Sequence, residues 1–393
     1  MTSDIATRSY LSRRVQAIAP SGIRRFFDLL GSLDGVISLG VGEPDFVTPW
    51  HIRDAAIRSL GQGQTHYTSN YGLPELRRAL SDHLDELCGL RFDPASELLI
   101  TAGVSEGLQL ALTSVLDPGD EVLCADPAYV AYRPCTELAG GAFVTVPTEM
   151  EGEFRLQAPE LQRRVTDRTK AILLGYPANP TGAVMSRDDL KPVVAVAAEH
   201  DLLLISDEIY GRLTYGAEHI PVASIPGARG RTITLGGFSK AYAMTGWRLG
   251  WIAAPAELLE GMMKVHQYVM MSAPTTAQHA AIEALRNGEH DVQEMLAQYR
   301  LRRRLVVDAF NELGLTCHEP GGAFYAFPSV RSTGLSDTEF AERLLIEERV
   351  AVVPGSAFGE GGRGHVRACY AASLEDLAEA MRRIGDFLAR LRA

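Results

Sequence analysis

The residue of this chain that most invites a chemical reading is a lysine in apolar surroundings. Lys240 follows Gly237-Phe238-Ser239 and precedes Ala241-Tyr242-Ala243-Met244. Burial in such a stretch lowers an amine's pKa and makes it nucleophilic, as a Schiff-base lysine requires. Arg248 follows in Thr245-Gly246-Trp247-Arg248-Leu249-Gly250 and has the planar fork that meets a phosphate bidentately. Asp207-Glu208-Ile209-Tyr210 sets a carboxylate beside a phenol, a site pair unless Asp207 only caps its turn. Tyr176-Pro177-Ala178-Asn179-Pro180-Thr181-Gly182 is a rigid loop suited to holding one amide in place. Gly103-Val104-Ser105-Glu106-Gly107 opens an apolar helix, whose unpaired N–H groups attract a phosphate, although a plain strand-to-helix turn reads the same way.

Each of these segments follows a short apolar run. Strands are predicted at 98–102, 121–125, 143–146, 171–175, 202–206, 232–236 and 249–253, several of them continuously apolar, as expected of strands covered on both faces. Amphipathic helices lie between them. Leu73, Leu76, Leu80, Leu84 and Leu87 form one stripe read as core. The alternation predicts an α/β fold with a largely parallel central sheet, and ligands of such sheets bind beyond the carboxyl ends of the strands. After about residue 280 the pattern changes. A long helix is predicted over 292–313, with Arg302, Arg303 and Arg304 read as a solvated face. Strand-like pieces follow at 323–327 and 350–353, and a last helix is capped by Ser373. These pieces point to a smaller α+β domain.

The chain has 393 residues, 46% hydrophobic and 22% charged, enough for two or three domains without disulfide or metal staples. Its 38 basic and 49 acidic residues give a net charge of −11, which disfavours nucleic acid and anionic membranes as partners. The five cysteines, at 88, 124, 135, 317 and 369, form no CxxC pair and fit a reducing compartment. No apolar run has the length of a signal peptide's core or a membrane span, so a cytoplasmic location is expected.

Taken in order, the segments resemble the class I/II aminotransferases, the fold-type-I pyridoxal-phosphate enzymes. Ser-Lys-Ala-Tyr-Ala-Met-Thr-Gly-Trp-Arg-Leu-Gly at 239–250 is similar to that family's lysine signature. Gly-Glu-Pro-Asp-Phe at 42–46, Asp-Pro-Ala-Tyr at 126–129, Asn-Pro-Thr-Gly at 179–182, Asp-Glu-Ile-Tyr at 207–210 and Gly-His-Val-Arg-Ala-Cys-Tyr-Ala at 364–371 fall in the family's order. The resemblance implies a large cofactor-binding domain over 47–290 and a small domain built from 12–46 and 291–393. It implies pyridoxal 5'-phosphate as cofactor, an L-amino acid and a 2-oxo acid as substrates, 2-oxoglutarate among the acceptors, and ping-pong kinetics.

Position by position, Lys240 matches the lysine of the internal aldimine and Asp207 the carboxylate at the pyridine nitrogen. Asn179 and Tyr210 match the donors to the ring hydroxyl, and Tyr129 the aromatic stacked on the ring. Val104, Ser105 and Arg248 match the phosphate contacts, with Ser239 a possible addition, because Gly237 stands where many relatives carry Ser or Thr. Tyr67 matches a tyrosine that reaches the phosphate of the neighbouring subunit, which implies a homodimer with shared sites. Arg367 matches the arginine that grips the substrate α-carboxylate. Gly42, with Gly40 beside it, lies in the stretch that closes over the substrate.

Tyr268 falls where the aspartate-specific subgroup often has a partner-chain arginine, so the pattern is closer to a broad bacterial subgroup of aspartate, aromatic and N-acetyl-diaminopimelate aminotransferases. Arg24 and Arg25 are candidate cations near the entrance. Relatives on the same fold cleave Cβ–S bonds, and cofactor-site residues do not separate such a C–S β-lyase from an aminotransferase. A ligand-sensing transcription regulator would need an added DNA-binding domain. A nicotinamide enzyme would be expected to show GxGxxG after its first strand, and none is present.

Overall fold

The computed structural model describes residues 10–18, 33–216 and 218–392. Strand β1 (Ile37–Ser38) is followed by seven strands that make one sheet: β2 (Leu98–Thr101), β3 (Glu121–Asp126), β4 (Ala142–Pro147), β5 (Thr169–Gly175), β6 (Leu203–Asp207), β7 (Thr232–Gly237) and β8 (Gly250–Ala253). Their order across the sheet is β2-β8-β7-β6-β5-β3-β4. Only β8 runs against its neighbours, pairing antiparallel with both β2 and β7. All seven expected strands are present, and the α/β architecture with a mostly parallel sheet holds.

Successive side chains along the strands go to opposite faces of the sheet as the pleat requires. Leu98 and Ile100 pack with Leu76 and Leu80 on one face of the sheet, while Leu99 packs with Leu108 and Leu112 on the other. The helix Pro74–Cys88 has proline in its first turn and ends on Gly89 in the left-handed conformation, φ 67°. Its leucine stripe is not all core. Leu76 and Leu80 are fully buried, but Leu87, in the last turn, is 44% exposed and lines an open cavity beside that end of the helix.

The remaining strands, β9 (Tyr325–Ala326), β10 (Val350–Ala351), β11 (Val353–Pro354) and β12 (Val366–Cys369), are short. β12 pairs antiparallel with β11 and β9, and the expected strand at 350–353 divides in two because its halves have different partners. β10 pairs in parallel with β1. Leu39, just after β1, is fully buried and its carbonyl accepts from Cys369 N–H at 2.7 Å. The N-terminal segment is thereby woven into the C-terminal part of the chain. The helices Glu289–Glu312 and Leu374–Arg392 pack over this part, and Ser373 caps the latter by accepting from Asp376 N–H.

The arginine run at 302–304 is not a solvated face. Arg302 is buried, pairs with Asp45 at 2.7 Å and stacks against Phe46 and Tyr299. Arg303 pairs with Glu319 at 2.9 Å and lies over Tyr215; only Arg304 points into solvent. Among the described residues no helix is long and apolar enough to cross a membrane.

Candidate active site

Five parallel strands end on the same edge of the sheet, and each delivers at least one candidate residue within a few positions of its end. β2 ends at Thr101 and leads to Val104 and Ser105. β3 ends at Asp126 and leads to Tyr129. β5 ends at Gly175 and leads to Asn179. β6 ends on Asp207 itself, and β7 ends at Gly237 and leads to Lys240. Because β8 runs the opposite way, its first residue, Gly250, is at this same edge, which brings Arg248 to the group.

These residues line one cavity of about 470 Å³. Its wall contains Val104, Ser105, Tyr129, Asn179, Asp207, Tyr210, Ser239, Lys240, Arg248, Gly42 and Arg367. Every site residue expected from the sequence is therefore there except Tyr67. Tyr67 is 82% exposed on the outside and does not reach the cavity of its own chain. Arg24 and Arg25 lie outside the described residues.

Lys240 Nζ donates to the Gly42 carbonyl at 2.6 Å and stands 5.7 Å from the ring centres of both Tyr210 and Phe324. Burial among these groups pulls its pKa down to about 8. Asp207 is buried, and the burial pushes its carboxyl up to about 6. Two donors oppose that shift: Tyr132 Oη at 2.9 Å and Ile209 N–H at 3.2 Å. The turn contact with Ile209 shows that Asp207 does fix its own loop, but its other oxygen is held by a residue from a different strand connection.

The helix Val104–Val115 starts on Gly103, at φ 84°, with no side chain capping its first amides. A Cβ at Gly103 would come within 2.9 Å of Arg248 Nη2, so glycine here lets the guanidinium lie against the helix start. Uncapped N–H groups and an arginine together make an anion cradle.

Arg367, on β12, is buried. Its Nη1 donates to Asn179 Oδ1 at 2.9 Å and its Nη2 to the Gly40 carbonyl at 2.6 Å. Its guanidinium lies 4.5 Å from the ring centre of Tyr325 and 4.9 Å from that of Phe358. Two of its nitrogens are thus fixed by the protein, which orients the group for a planar carboxylate.

Two residues of the site were missed in the sequence. Tyr132 supplies the hydroxyl on Asp207 and meets Tyr129 edge-on at 5.4 Å. Tyr325 shares a hydrogen bond with Tyr210, the two hydroxyl oxygens 2.7 Å apart, and its hydroxyl occupies the space a Cβ at Gly42 would need. The spacing of Tyr129 and Tyr132 after β3 was the one available signal for the former.

Comparison with known proteins decides the family. The family of class I and II aminotransferases matches residues 34–384. The chain belongs to the class I and II aminotransferases. It is 51% identical to YugH of Bacillus subtilis over 380 residues, covering 97% of this chain and 98% of that one. It is 46% identical to the aspartate aminotransferase of Pyrococcus abyssi over 381 residues, covering 96% and 98%. Among solved structures, an aspartate aminotransferase of Thermus thermophilus with maleate superimposes with a TM-score of 0.92 at 40% identity, covering 96% of this chain and all of that one. This aminotransferase therefore has the fold-type-I architecture of its relatives, and its cavity lies where the sheet's strand ends converge.

Proposed function

We propose that this aminotransferase holds pyridoxal 5'-phosphate in the cavity and moves an amino group from an L-amino acid to a 2-oxo acid, 2-oxoglutarate among them. One observation carries the reading: an amine of lowered pKa, a buried carboxylate and an open helix start line a single cavity. The residues fit the cofactor. The amides of Val104 and Ser105 with Arg248 suit its phosphate, and Ser239 lies in the same wall. Asp207 suits the ring nitrogen, Asn179 and Tyr210 the ring hydroxyl, and Tyr129 the ring face. Lys240 would carry the cofactor covalently between turnovers.

When bound, the cofactor supplies an electron sink for the pair left at the substrate Cα. The chain's residues do the rest. Asp207, ionised above about pH 6, offers an acceptor that keeps the ring nitrogen protonated. Arg367 takes the substrate α-carboxylate and fixes which bond at Cα faces the lysine. The Lys240 amine, whose pKa of about 8 leaves far more of it unprotonated near neutral pH than an ordinary lysine, accepts the Cα proton and returns it on the other side of the exchange. Gly42, whose carbonyl holds Nζ, keeps the amine in the cavity. The amino group waits on the enzyme between the two half-reactions, which gives ping-pong kinetics.

Relatives that are an aspartate aminotransferase and an aromatic-amino-acid aminotransferase stand at similar identity, 46% and 45%, so both donor classes are proposed here. A homodimer with shared sites accounts for the exposed Tyr67 and for the exposed run Tyr268, Val269, Met270 and Met271. The pairing of β1 with β10 supports a small domain of 12–46 and 291–393 against a large one of 47–290. A cytoplasmic location is part of the proposal.

The test is a spectral titration of cofactor-loaded protein with single amino acids and no acceptor. Aspartate, glutamate or an aromatic amino acid is expected to discharge the visible absorbance and release its 2-oxo acid once per site. Pyruvate released repeatedly from cystathionine without acceptor would replace this reading by a C–S β-lyase. Failure to take up the cofactor at all would overturn it.

A further inference from the structure

Beneath the helix start that we read as the phosphate cradle lies a buried histidine–glutamate hydrogen bond with no part in the mechanism above. His266, in the helix Ala256–Val269, is completely buried. Its Nδ1–H donates to Glu106 Oε1 at 2.7 Å, since a carboxylate can only accept. Its Nε2 is buried with no partner among the described residues. Glu106 is the third residue of the helix Val104–Val115, and its other oxygen accepts from Ala102 N–H, just upstream of Gly103.

The arrangement is half of a capping box. In the full motif a Ser or Thr before the helix bonds an amide of the first turn, and a Glu three residues on reaches back to a backbone N–H. Here the Glu reaches one residue further back, to Ala102 N–H instead of that of the N-cap Gly103, and glycine replaces the hydroxyl half, so no side chain claims the first-turn amides. A carboxylate in that turn is itself attracted to those amides and to the positive end of the helix dipole. Left free, Glu106 competes with a phosphate for the same donors and repels it. His266 holds it on the opposite, buried side. The ring's own position is set by its backbone, whose carbonyl accepts from Met270 and Met271 N–H at 2.9 and 3.0 Å and ends the helix there.

We propose that His266 is a positioning residue that turns the Glu106 carboxylate away from the helix start and so keeps it open for the cofactor's phosphate. The inference rests on the cofactor reading above. The test uses the resolved full-length protein and measures equilibrium binding of pyridoxal 5'-phosphate and of pyridoxal, which lacks the phosphate, by absorbance. His266→Ala is expected to weaken pyridoxal phosphate roughly 10- to 100-fold, the range seen for supporting residues behind a ligand shell, and to change pyridoxal by less than about twofold. Adding Glu106→Gln to that variant is expected to restore most of the loss, because the freed side chain is then uncharged. An equal loss for both ligands, no loss, or no rescue by Glu106→Gln would overturn the proposal in favour of simple packing. Should His266→Ala fail to fold, His266→Leu, which fills the space but cannot donate to Glu106, with and without Glu106→Gln, gives the same comparison. If the unaltered protein does not prefer pyridoxal phosphate over pyridoxal, the phosphate cradle itself is wrong, an outcome distinct from failure of the pair.

Discussion

Replacing Asp207 by Asn in the cofactor-free protein separates the electrostatics of the site from its chemistry. The carboxyl titrates near 6 against an ordinary 3.8, with burial outweighing the bonds from Tyr132 and Ile209 that favour the ionised form. The difference of roughly two units is worth about 3 kcal/mol at 1.36 kcal/mol per unit. Between those two values the folded protein holds more protons than the unfolded chain. Its stability therefore falls as pH rises from about 4 to 6, and the full penalty is present above 6. Asn cannot ionise, and it keeps both contacts, leaving only the Tyr132 O–H proton without its acceptor. Its oxygen accepts from Ile209 N–H and its amide donates to the Tyr132 hydroxyl, which rotates to accept. Cofactor-free Asp207→Asn is expected to be more stable than the unaltered protein at pH 8, by up to about 3 kcal/mol, with the gain vanishing near pH 4. Its amino transfer is expected to be lost. Thermal melting at both pH values and one fixed protein concentration reads the difference. A variant less stable at pH 8, or a gain equal at both pH values, would refute the claim that the site stores this penalty in a buried carboxylate.

Lys240→Ala should abolish turnover with purified substrates; wild-type activity in that variant would remove Lys240 from the mechanism. Tyr132→Phe takes a donor from an ionised group, worth about 1.5–3 kcal/mol, so the pH below which cofactor affinity fades should rise by about 1–2 units in a binding titration. Arg367→Lys keeps the charge but loses the planar fork, and steady-state kinetics should show KM for the amino acid raised about tenfold or more with a smaller change in kcat. Gly42→Ala drives a methyl into the Tyr325 hydroxyl. It should cost about 1–3 kcal/mol of stability, the usual range for overpacking, and lower kcat/KM by displacing the carbonyl that holds Lys240.

Much of the fold was legible in the sequence because strands covered on both faces must be apolar throughout, and β2 and β3 are buried at every position. The same logic located the site, since residues just past the ends of parallel strands converge whatever else the chain does. Lys240 stood out because small and apolar neighbours flank it. Contacts between distant segments left no such trace. Tyr132 and Asp207 are 75 positions apart, Tyr210 and Tyr325 115. Arg302 looks solvated in a charged helix until Asp45, 257 residues away, arrives to pair with it. Leu87 obeys the helical spacing of its stripe, but spacing does not say where the packing ends.

The bond from Arg367 to the Gly40 carbonyl, spanning 327 positions, has a consequence for how the molecule is made. The residues proposed to hold the cofactor, Tyr67 apart, and the strands of the central sheet all lie between 98 and 253. Those proposed to grip the substrate come from 40–42 and 367. On a ribosome the central sheet is fully synthesised when residue 253 emerges, while Gly40 still waits for its arginine. The 114 residues from 253 to 367 take roughly 6–23 s at 5–20 residues per second. For that interval a nascent chain possesses a nearly finished cofactor face and no substrate face, so the helper molecule can be captured before the enzyme has anything to act on.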